Sequence, residues 1–205
     1  MSTYTVLLFI LGAGTSSARV TGGAPRDCRE NDDGWAFMTG TSRMYLIERN
    51  FNTDWQNRNV TECVSAITLC KDETTHTFMQ NITYHNTSSN VWISFEKKFT
   101  ARAWGTNSTV INYYTAPGPG NSTLTYLMLH ADSDCMVAKM LYRSGENLRA
   151  CEIWGYDSYF DHTPSALCCQ HLYKISCDKT KQILYKKDEC SEKEAPTKEK
   201  RMRRY

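Results

Sequence analysis

The nine cysteines are the residues of this chain whose type and spacing most directly indicate chemistry. Cys168 and Cys169 are neighbours, with Cys151 and Cys177 on either side of them. A bridge between adjacent cysteines closes a strained ring, so this spacing favours a bond from each of the two to a different, distant partner. Such bonds persist in an oxidising compartment. The cysteines therefore predict a disulfide-linked chain, provided that other features indicate secretion.

The histidines and other nucleophilic side chains lack the spacing of a catalytic or metal-binding site. The sequence contains no His-Glu-x-x-His motif, no Gly-x-Ser-x-Gly motif and no phosphate-binding glycine loop. The cysteines are better explained as bridges than as zinc ligands. We therefore expect no enzyme activity, no catalytic residue, no metal and no cofactor. The five histidines are His76, His85, His130, His162 and His171.

The N-terminus has the pattern of a secretory signal peptide. Residues 6–13 form an apolar run that is too short to span a bilayer, and small residues follow at 16–18. We predict that residues 1–18 are a signal peptide cleaved after Ala18. No later segment is apolar for long enough to anchor the chain, so the sequence predicts a secreted, extracellular protein without a membrane span.

Asn-x-Ser/Thr sequons support the prediction of secretion. Five occur, and each is a candidate glycan acceptor on an exposed segment. A reduced cytosolic chain with chance sequons explains the combination of sequons, cysteines and signal peptide less well. The candidate glycosylation sites are Asn59, Asn81, Asn86, Asn107 and Asn121.

The charge of the chain gives no general electrostatic case for a nucleic-acid partner, since the formal net charge is only +2. Basic residues concentrate near the C-terminus. Residues 191–205 have almost no apolar content, so we predict a basic, disordered tail. The rest of the mature chain has the length of one domain.

Between residues 43 and 187 the sequence has the pattern of successive strands, because short segments rich in aromatic and β-branched residues alternate with turn residues. We predict a turn at 116–120, a helix that begins near Pro164 and a last strand at 182–186. Eight antiparallel strands suit a closed barrel able to hold one small ligand, but periodicity alone leaves a β-sandwich open. The predicted strands span 43–51, 60–69, 75–84, 91–104, 108–115, 122–130, 135–142 and 149–156.

The cysteine spacing resembles that of the salivary lipocalins of ticks, the histamine-binding-protein family. The resemblance covers roughly residues 30–190, and it implies a mainly β fold: an eight-stranded antiparallel lipocalin barrel over 19–190, with a C-terminal α-helix packed outside. The segments that carry it are Cys151-Glu-Ile-Trp, Cys168-Cys169, Cys177, Cys190, Asp33-Gly-Trp, residues 49–54, Cys63-Val and Asp134-Cys-Met-Val.

The resemblance also implies which cysteines are joined. Three bridges follow from it: Cys28 to Cys168, Cys63 to Cys190, and Cys135 to Cys169. Cys151 and Cys177 can form a fourth, because Cys151 faces outward if its neighbour Glu152 faces the barrel interior. Cys70 then remains, as a free thiol, an intermolecular bridge or a buried inert thiol.

Acids inside such a barrel are informative, because a buried carboxylate is costly unless a cation pairs with it. By resemblance, Asp54 and Glu152 belong to a first amine site, and Glu96 and Trp154 to a second. Met136 replaces an acid of the family's second site, so the amine pattern is only half present. The candidate ligand-binding residues are Phe51, Asp54, Glu96, Tyr114, Leu124, Tyr126, Glu152 and Trp154.

The resemblance implies a salivary protein that captures a small host mediator and so dampens inflammation. By the same resemblance we expect the ligand to be a biogenic amine such as histamine or serotonin, or a more apolar fatty acid, leukotriene or sterol. An alternative is an immunomodulatory barrel that acts on a host protein or immune cell through its outer surface, with a lipid or sterol as a structural ligand of the cavity. An open cavity with an acid inside favours ligand capture, and a blocked cavity favours the alternative.

Overall fold

The computed structural model of the chain describes residue 28 and residues 33–51, 60–105, 109–145, 148–179 and 182–191. The predicted signal peptide, the candidate acid Asp54, the sequons at Asn59 and Asn107 and the predicted tail from residue 192 onward lie outside the described residues. In the described part no helix is long and apolar enough to cross a membrane.

The eight predicted strands and the helix that begins at Pro164 are confirmed, with ends that differ by a few residues. The strands are β1 (Met44–Arg49), β2 (Thr61–Asp72), β3 (Thr77–Asn86), β4 (Val91–Ala103), β5 (Ile111–Pro117), β6 (Thr123–Ala131), β7 (Cys135–Met140), β8 (Cys151–Gly155) and β9 (Gln182–Ile183). The helices are α1 (Trp35–Met38) and α2 (Pro164–Ser176). The turn after β5 begins later than predicted, since Pro117 still pairs with Thr123 at the strand end.

The strands close into an antiparallel barrel, so the barrel prediction is confirmed over a sandwich. Each of β1 to β8 pairs with the next strand along the chain or, for β8, with β1. Met44 of β1 pairs with Ala66 of β2, and Tyr45 pairs with Ser65, which completes the ring. The short β9 pairs with β1 outside this ring.

A β-bulge in β1 decides which of its polar residues face the interior. Leu46 pairs with Trp154, but the next pairs are Glu48 with Ile153 and Arg49 with Glu152, so Ile47 is an extra residue. A bulge of this kind re-aims the side chains that follow it. Arg49 therefore faces the barrel interior and Glu48 faces outward.

The short helix α1, which begins within the Asp33-Gly-Trp segment that carries the resemblance, closes one end of the barrel. The Met38 carbonyl accepts hydrogen bonds from Thr68 Oγ1 and Gln80 Nε2, both at 2.9 Å. The Phe37 ring packs on Tyr156, whose hydroxyl donates to the Phe37 carbonyl at 2.6 Å. Because these contacts join α1 to several strands, this end of the barrel is filled.

Helix α2 packs on the outer face of β6, β7 and β8. Its N-cap is Thr163, whose Oγ1 accepts a hydrogen bond from the Ala166 N–H at 3.1 Å, and Pro164 occupies the first turn. The apolar side chains between helix and barrel form what we call the outer cluster. Its members are Ile47, Cys135, Val137, Cys151, Ile153, Tyr159, Ala166, Cys169, Tyr173 and Cys177.

All four predicted bridges are confirmed, and Cys168 and Cys169 bond to different partners. The bridges are Cys28–Cys168, Cys63–Cys190, Cys135–Cys169 and Cys151–Cys177. Cys70 is free and exposed, which excludes the buried thiol among the three states left open.

Removing one bridge should destabilise the fold by a predictable amount. The Cys151–Cys177 bridge closes a loop with a sequence separation of 26. Replacing both cysteines by serine should lower the free energy of unfolding by about 3–4 kcal/mol, because the unfolded chain gains freedom. Urea denaturation followed by tryptophan fluorescence measures this difference. Cys70→Ser is the matched control and should leave stability unchanged, whereas an equally stable double variant would contradict the bridge assignment.

Candidate functional site

The barrel encloses a cavity of about 370 Å³ that has mostly apolar walls. Phe95 is 43% exposed and Tyr142 36%, so the cavity reaches solvent at the end opposite α1. Methionine side chains make up much of the wall, and they adapt easily to the shape of a ligand. These methionines are Met38, Met44, Met128, Met136 and Met140.

Glu152 is the one acid among the described residues that line the cavity. Alternation along β8 turns Glu152 and Trp154 inward, and the Trp154 Nε1–H donates to Glu152 Oε2 at 2.9 Å. Burial raises the pKa of the Glu152 carboxyl above its ordinary value, although Trp154, Arg49, Lys97 and Arg143 act in the opposite direction. The side chain lines the cavity and is partly accessible there.

Cations surround this acid. Arg49 lies directly across the β1–β8 ladder from Glu152, where side chains on the same face are close neighbours. Its guanidinium also donates to Gln182 Oε1 at 3.0 Å and to Thr61 Oγ1 at 3.3 Å. These bonds hold the Arg49 side chain at the open end of the cavity.

Lys97 approaches the cavity from β4. Its Nζ donates to the Tyr126 hydroxyl at 3.3 Å and lies 5.6 Å from the centroid of the Phe99 ring. Burial lowers the pKa of Lys97 to about 8, and the negative charge of Glu152 opposes that shift. Burial raises the pKa of Tyr126, so its hydroxyl stays neutral.

A smaller space of about 180 Å³, the mouth chamber, adjoins the cavity at its open end. Arg143 projects over the Phe51 ring at 5.0 Å from its centroid, and Arg49 lies 5.1 Å from the same centroid. Within the described residues the Arg143 Nε is buried without a hydrogen-bond partner. The residues that line the mouth chamber are Arg49, Phe51, Lys97, Pro119, Leu124, Tyr126, Tyr142, Arg143 and Glu152.

The structure brings together six of the eight candidate residues from the sequence. Tyr114, Tyr126, Glu152 and Trp154 line the cavity, and Phe51 and Leu124 line the mouth chamber with Tyr126 and Glu152. Asp54 lies outside the described residues.

The prediction that Glu96 belongs to a ligand site inside the barrel is wrong. Its side chain is exposed and does not line the cavity. Phe95, Lys97 and Phe99 take the inward positions of β4, so the residue between two of them must face outward. The sequence contains a signal for this orientation, because aromatic residues stand two positions before and two positions after Lys97.

Sequence reasoning also missed the three cations Arg49, Lys97 and Arg143. Among the described residues, one carboxylate faces three basic side chains at the open end of a mostly apolar cavity. Even with Glu152 ionised, these described residues carry an excess of positive charge. Such a site attracts an anionic group and can bury an apolar one beside it.

The protein-family model described as tick histamine binding protein matches residues 25–192. A comparison with curated protein sequences gave no significant match.

Solved structures resemble the chain at low sequence identity. A crystal structure of AM182 in complex with serotonin has 14% identity and a TM-score of 0.49, covering 73% of this chain and 85% of that one. The siderocalin Ex-FABP has 14% identity and a TM-score of 0.48, and the match covers 72% of this chain and 94% of that one. The cockroach allergen Per a 4 has 13% identity and a TM-score of 0.45, with 70% and 85% covered.

The pairing of Lys97 with Glu152 can be tested by titration. Lys97 should lose its proton near pH 8, and Glu152→Gln should lower this pKa further because the variant removes the charge that stabilises the ammonium. Reductive ¹³C-methylation followed by NMR measures the titration, and Lys97→Arg assigns the resonance by its loss. A Lys97 midpoint that does not respond to Glu152→Gln would contradict this geometry.

Proposed function

This chain belongs to the tick histamine-binding protein family, and we propose that it sequesters an amphipathic lipid mediator with an anionic head group. The observation that carries the proposal is the charge at the open end of the cavity, where Arg49, Lys97 and Arg143 surround Glu152. The ligand class is a fatty acid or a leukotriene, with its carboxylate at the cations and its chain in the barrel.

Electrostatics favour an anion over an amine at this site. An ammonium group beside Glu152 would also meet the nearby cations, and like charges repel strongly where little water screens them. A carboxylate instead forms charge-assisted hydrogen bonds with lysine and arginine, and these are among the stronger hydrogen bonds in proteins. With one acid and three cations among the residues that the structure describes here, an anionic head group is the better match.

The remainder of the cavity suits an apolar chain. Leu46, Val64, Ile82 and Phe99 line it together with the methionines. The cavity volume of about 370 Å³ lies within the range typical of small-molecule sites. A secreted protein with such a site would lower the free concentration of a host lipid mediator and so dampen inflammation.

Replacing a cation at the open end of the cavity should weaken the binding of a lipid acid, and replacing Glu152 should strengthen it. Lys97→Met and Arg49→Met should each weaken binding of oleic acid and leukotriene B4 by about ten- to a hundredfold, because each removes a charge-assisted hydrogen bond worth roughly 1.5–3 kcal/mol. Glu152→Gln should strengthen binding of the same acids, since it removes a like charge. Isothermal titration calorimetry of purified, delipidated protein measures these affinities.

Two controls separate this proposal from its alternatives. Oleyl alcohol has the same chain without the charge and should bind more weakly than oleic acid. Ala138→Phe places a ring in the cavity wall beside Glu152 and should block binding by volume. Amine binding that Glu152→Gln abolishes would support an amine carrier instead. If the wild type binds no acid, amine or cholesterol, action on a host protein or immune cell through the outer surface becomes the better hypothesis.

Secretion and glycosylation are part of the same proposal. Asn81 lies on β3 with its Oδ1 accepting a hydrogen bond from Ser94 Oγ at 2.6 Å on an exposed face, and Asn121 is exposed in the turn before β6. Peptide-N-glycosidase treatment of protein secreted from insect cells should lower its mass in several steps. Asn81→Gln, Asn86→Gln and Asn121→Gln should each remove one step, and a treatment that leaves the mass unchanged would count against glycosylation.

A further inference from the structure

Lys97 holds a primary amine inside the barrel, whereas the next residue, Lys98, is exposed. The Lys97 side chain lines both the main cavity and the mouth chamber. Its Nζ lies 5.6 Å from the centroid of the Phe99 ring and 5.9 Å from that of the Tyr126 ring. The amine therefore stands between the open end and the apolar interior, where a ligand that enters the barrel meets it.

The Tyr126 hydroxyl positions this nitrogen through a hydrogen bond of 3.3 Å. That distance is slightly longer than is usual for a nitrogen donor, so Nζ can turn toward a ligand in either chamber. Burial keeps the phenol neutral, because it raises the pKa of Tyr126. The other charged or titratable residues that line the mouth chamber with Lys97 are Arg49, Tyr142, Arg143 and Glu152.

These surroundings favour the neutral form of the Lys97 amine. Burial lowers its pKa to about 8, although the negative charge of Glu152 opposes the shift. At pH 7.4 roughly a fifth of such an amine is unprotonated, against about one part in a thousand for an ordinary lysine. The unprotonated amine is the nucleophilic form, and lysines in apolar pockets are the ones that form Schiff bases with carbonyl compounds.

Glu152 supplies an acid for the same chemistry. Burial raises the pKa of its carboxyl, so this group can hold a proton inside the cavity. The Trp154 Nε1–H donates to Glu152 Oε2 at 2.9 Å and fixes the carboxyl in the wall. The cavity therefore combines a nucleophilic nitrogen with a proton donor whose charge is felt at that nitrogen.

We propose that the barrel captures long-chain aldehydes covalently, through an imine between the Lys97 Nζ and the aldehyde carbon. The hydrocarbon chain of the aldehyde would occupy the mostly apolar cavity of about 370 Å³. The reaction is a condensation that releases one water molecule, so it needs neither an oxidant nor a reductant.

The steps balance with the groups that are present. The lone pair of the neutral Lys97 amine forms a bond to the aldehyde carbon, and the π electrons of the carbonyl move to its oxygen. A proton then passes from nitrogen to that oxygen, which gives a carbinolamine. The protonated Glu152 carboxyl gives its proton to the departing hydroxyl group, and the carbon–oxygen bond breaks as water leaves. The products are a protonated imine and the Glu152 carboxylate, which is its counter-ion.

This inference rests on the lipid cavity of the proposed function, but it does not depend on the positive charge that favours a lipid acid. An aldehyde is uncharged and reacts with the amine itself. A fatty acid and an aldehyde would occupy the same space, so each would exclude the other. The apolar walls and the filled end at α1 would keep water from the imine and so slow its hydrolysis.

Borohydride trapping tests the proposal on the full-length, delipidated protein. One equivalent of oleyl aldehyde at pH 7.4, followed by sodium borohydride, should convert the imine to a stable secondary amine. Intact-mass spectrometry should then show one octadecenyl group per chain, and peptide mapping should place it on Lys97. Propanal should label Lys97 at least about tenfold less, because its short chain buries little apolar surface.

Variants identify the reacting nitrogen. Lys97→Met and Lys97→Arg should both lose the adduct, since neither side chain has a primary amine. Lys98→Arg is the matched control and should keep it, because the exposed Lys98 is the neighbouring lysine on the same strand. Circular dichroism checks that each variant is folded, and the mapping of the wild-type adduct does not depend on the variants.

The possible results separate this inference from the lipid proposal. The absence of an adduct on the wild type, an adduct spread over exposed lysines, or an adduct that persists in Lys97→Met would overturn covalent capture. Oleic acid that binds in calorimetry while no adduct forms would leave the lipid proposal intact. An adduct on Lys97 without any binding of oleic acid would instead count against the lipid acid alone.

Discussion

The single extra residue Ile47 in β1 decides the chemistry of both faces of the barrel. If β1 kept its strict alternation, Glu48 would follow Met44 and Leu46 into the cavity, and Arg49 would point outward. Two acids, Glu48 and Glu152, would then lie near each other inside the barrel, which is an arrangement suited to a cation. The bulge instead pairs an inward arginine with Glu152 and turns the second acid toward α2.

The disulfides determine where α2 lies relative to that bulge. The Cys135–Cys169 and Cys151–Cys177 bridges join the middle and the end of the helix to β7 and β8. Because β8 is the neighbour of β1, a helix held on this pair of strands covers Ile47 and leaves a cleft beside Glu48. The bridges therefore stabilise the fold and also hold α2 against the outer face of β7 and β8.

The sequence predicted the strands well, because strand periodicity is a local pattern that extends over many residues and tolerates errors of one or two positions. The pairing of the cysteines joins distant parts of the chain, and three of the four bridges followed from the resemblance to a known family. The interior of the cavity depends on strand parity, where an error of one residue exchanges the two faces. Glu96 was assigned to the interior and Lys97 was missed for this reason. The bulge at Ile47 has no comparable local signal, so Arg49 could not be assigned from the sequence.

Because Glu152 lies inside the barrel, the binding of a charged ligand there is coupled to the uptake or release of a proton by this acid. Without ligand, Glu152 offsets part of the charge of Arg49 and Lys97, even though burial raises its pKa. An anionic head group that arrived at these cations would raise the pKa of Glu152 further, because like charges favour the protonated form. Capture of an acid would therefore be accompanied by proton uptake, and affinity would increase as the pH falls through that pKa. An ammonium beside Glu152 would lower its pKa and release a proton. The direction of proton exchange is thus set by the sign of the ligand's charge, and the lipid acid proposed from the cations described around Glu152 would be bound with proton uptake.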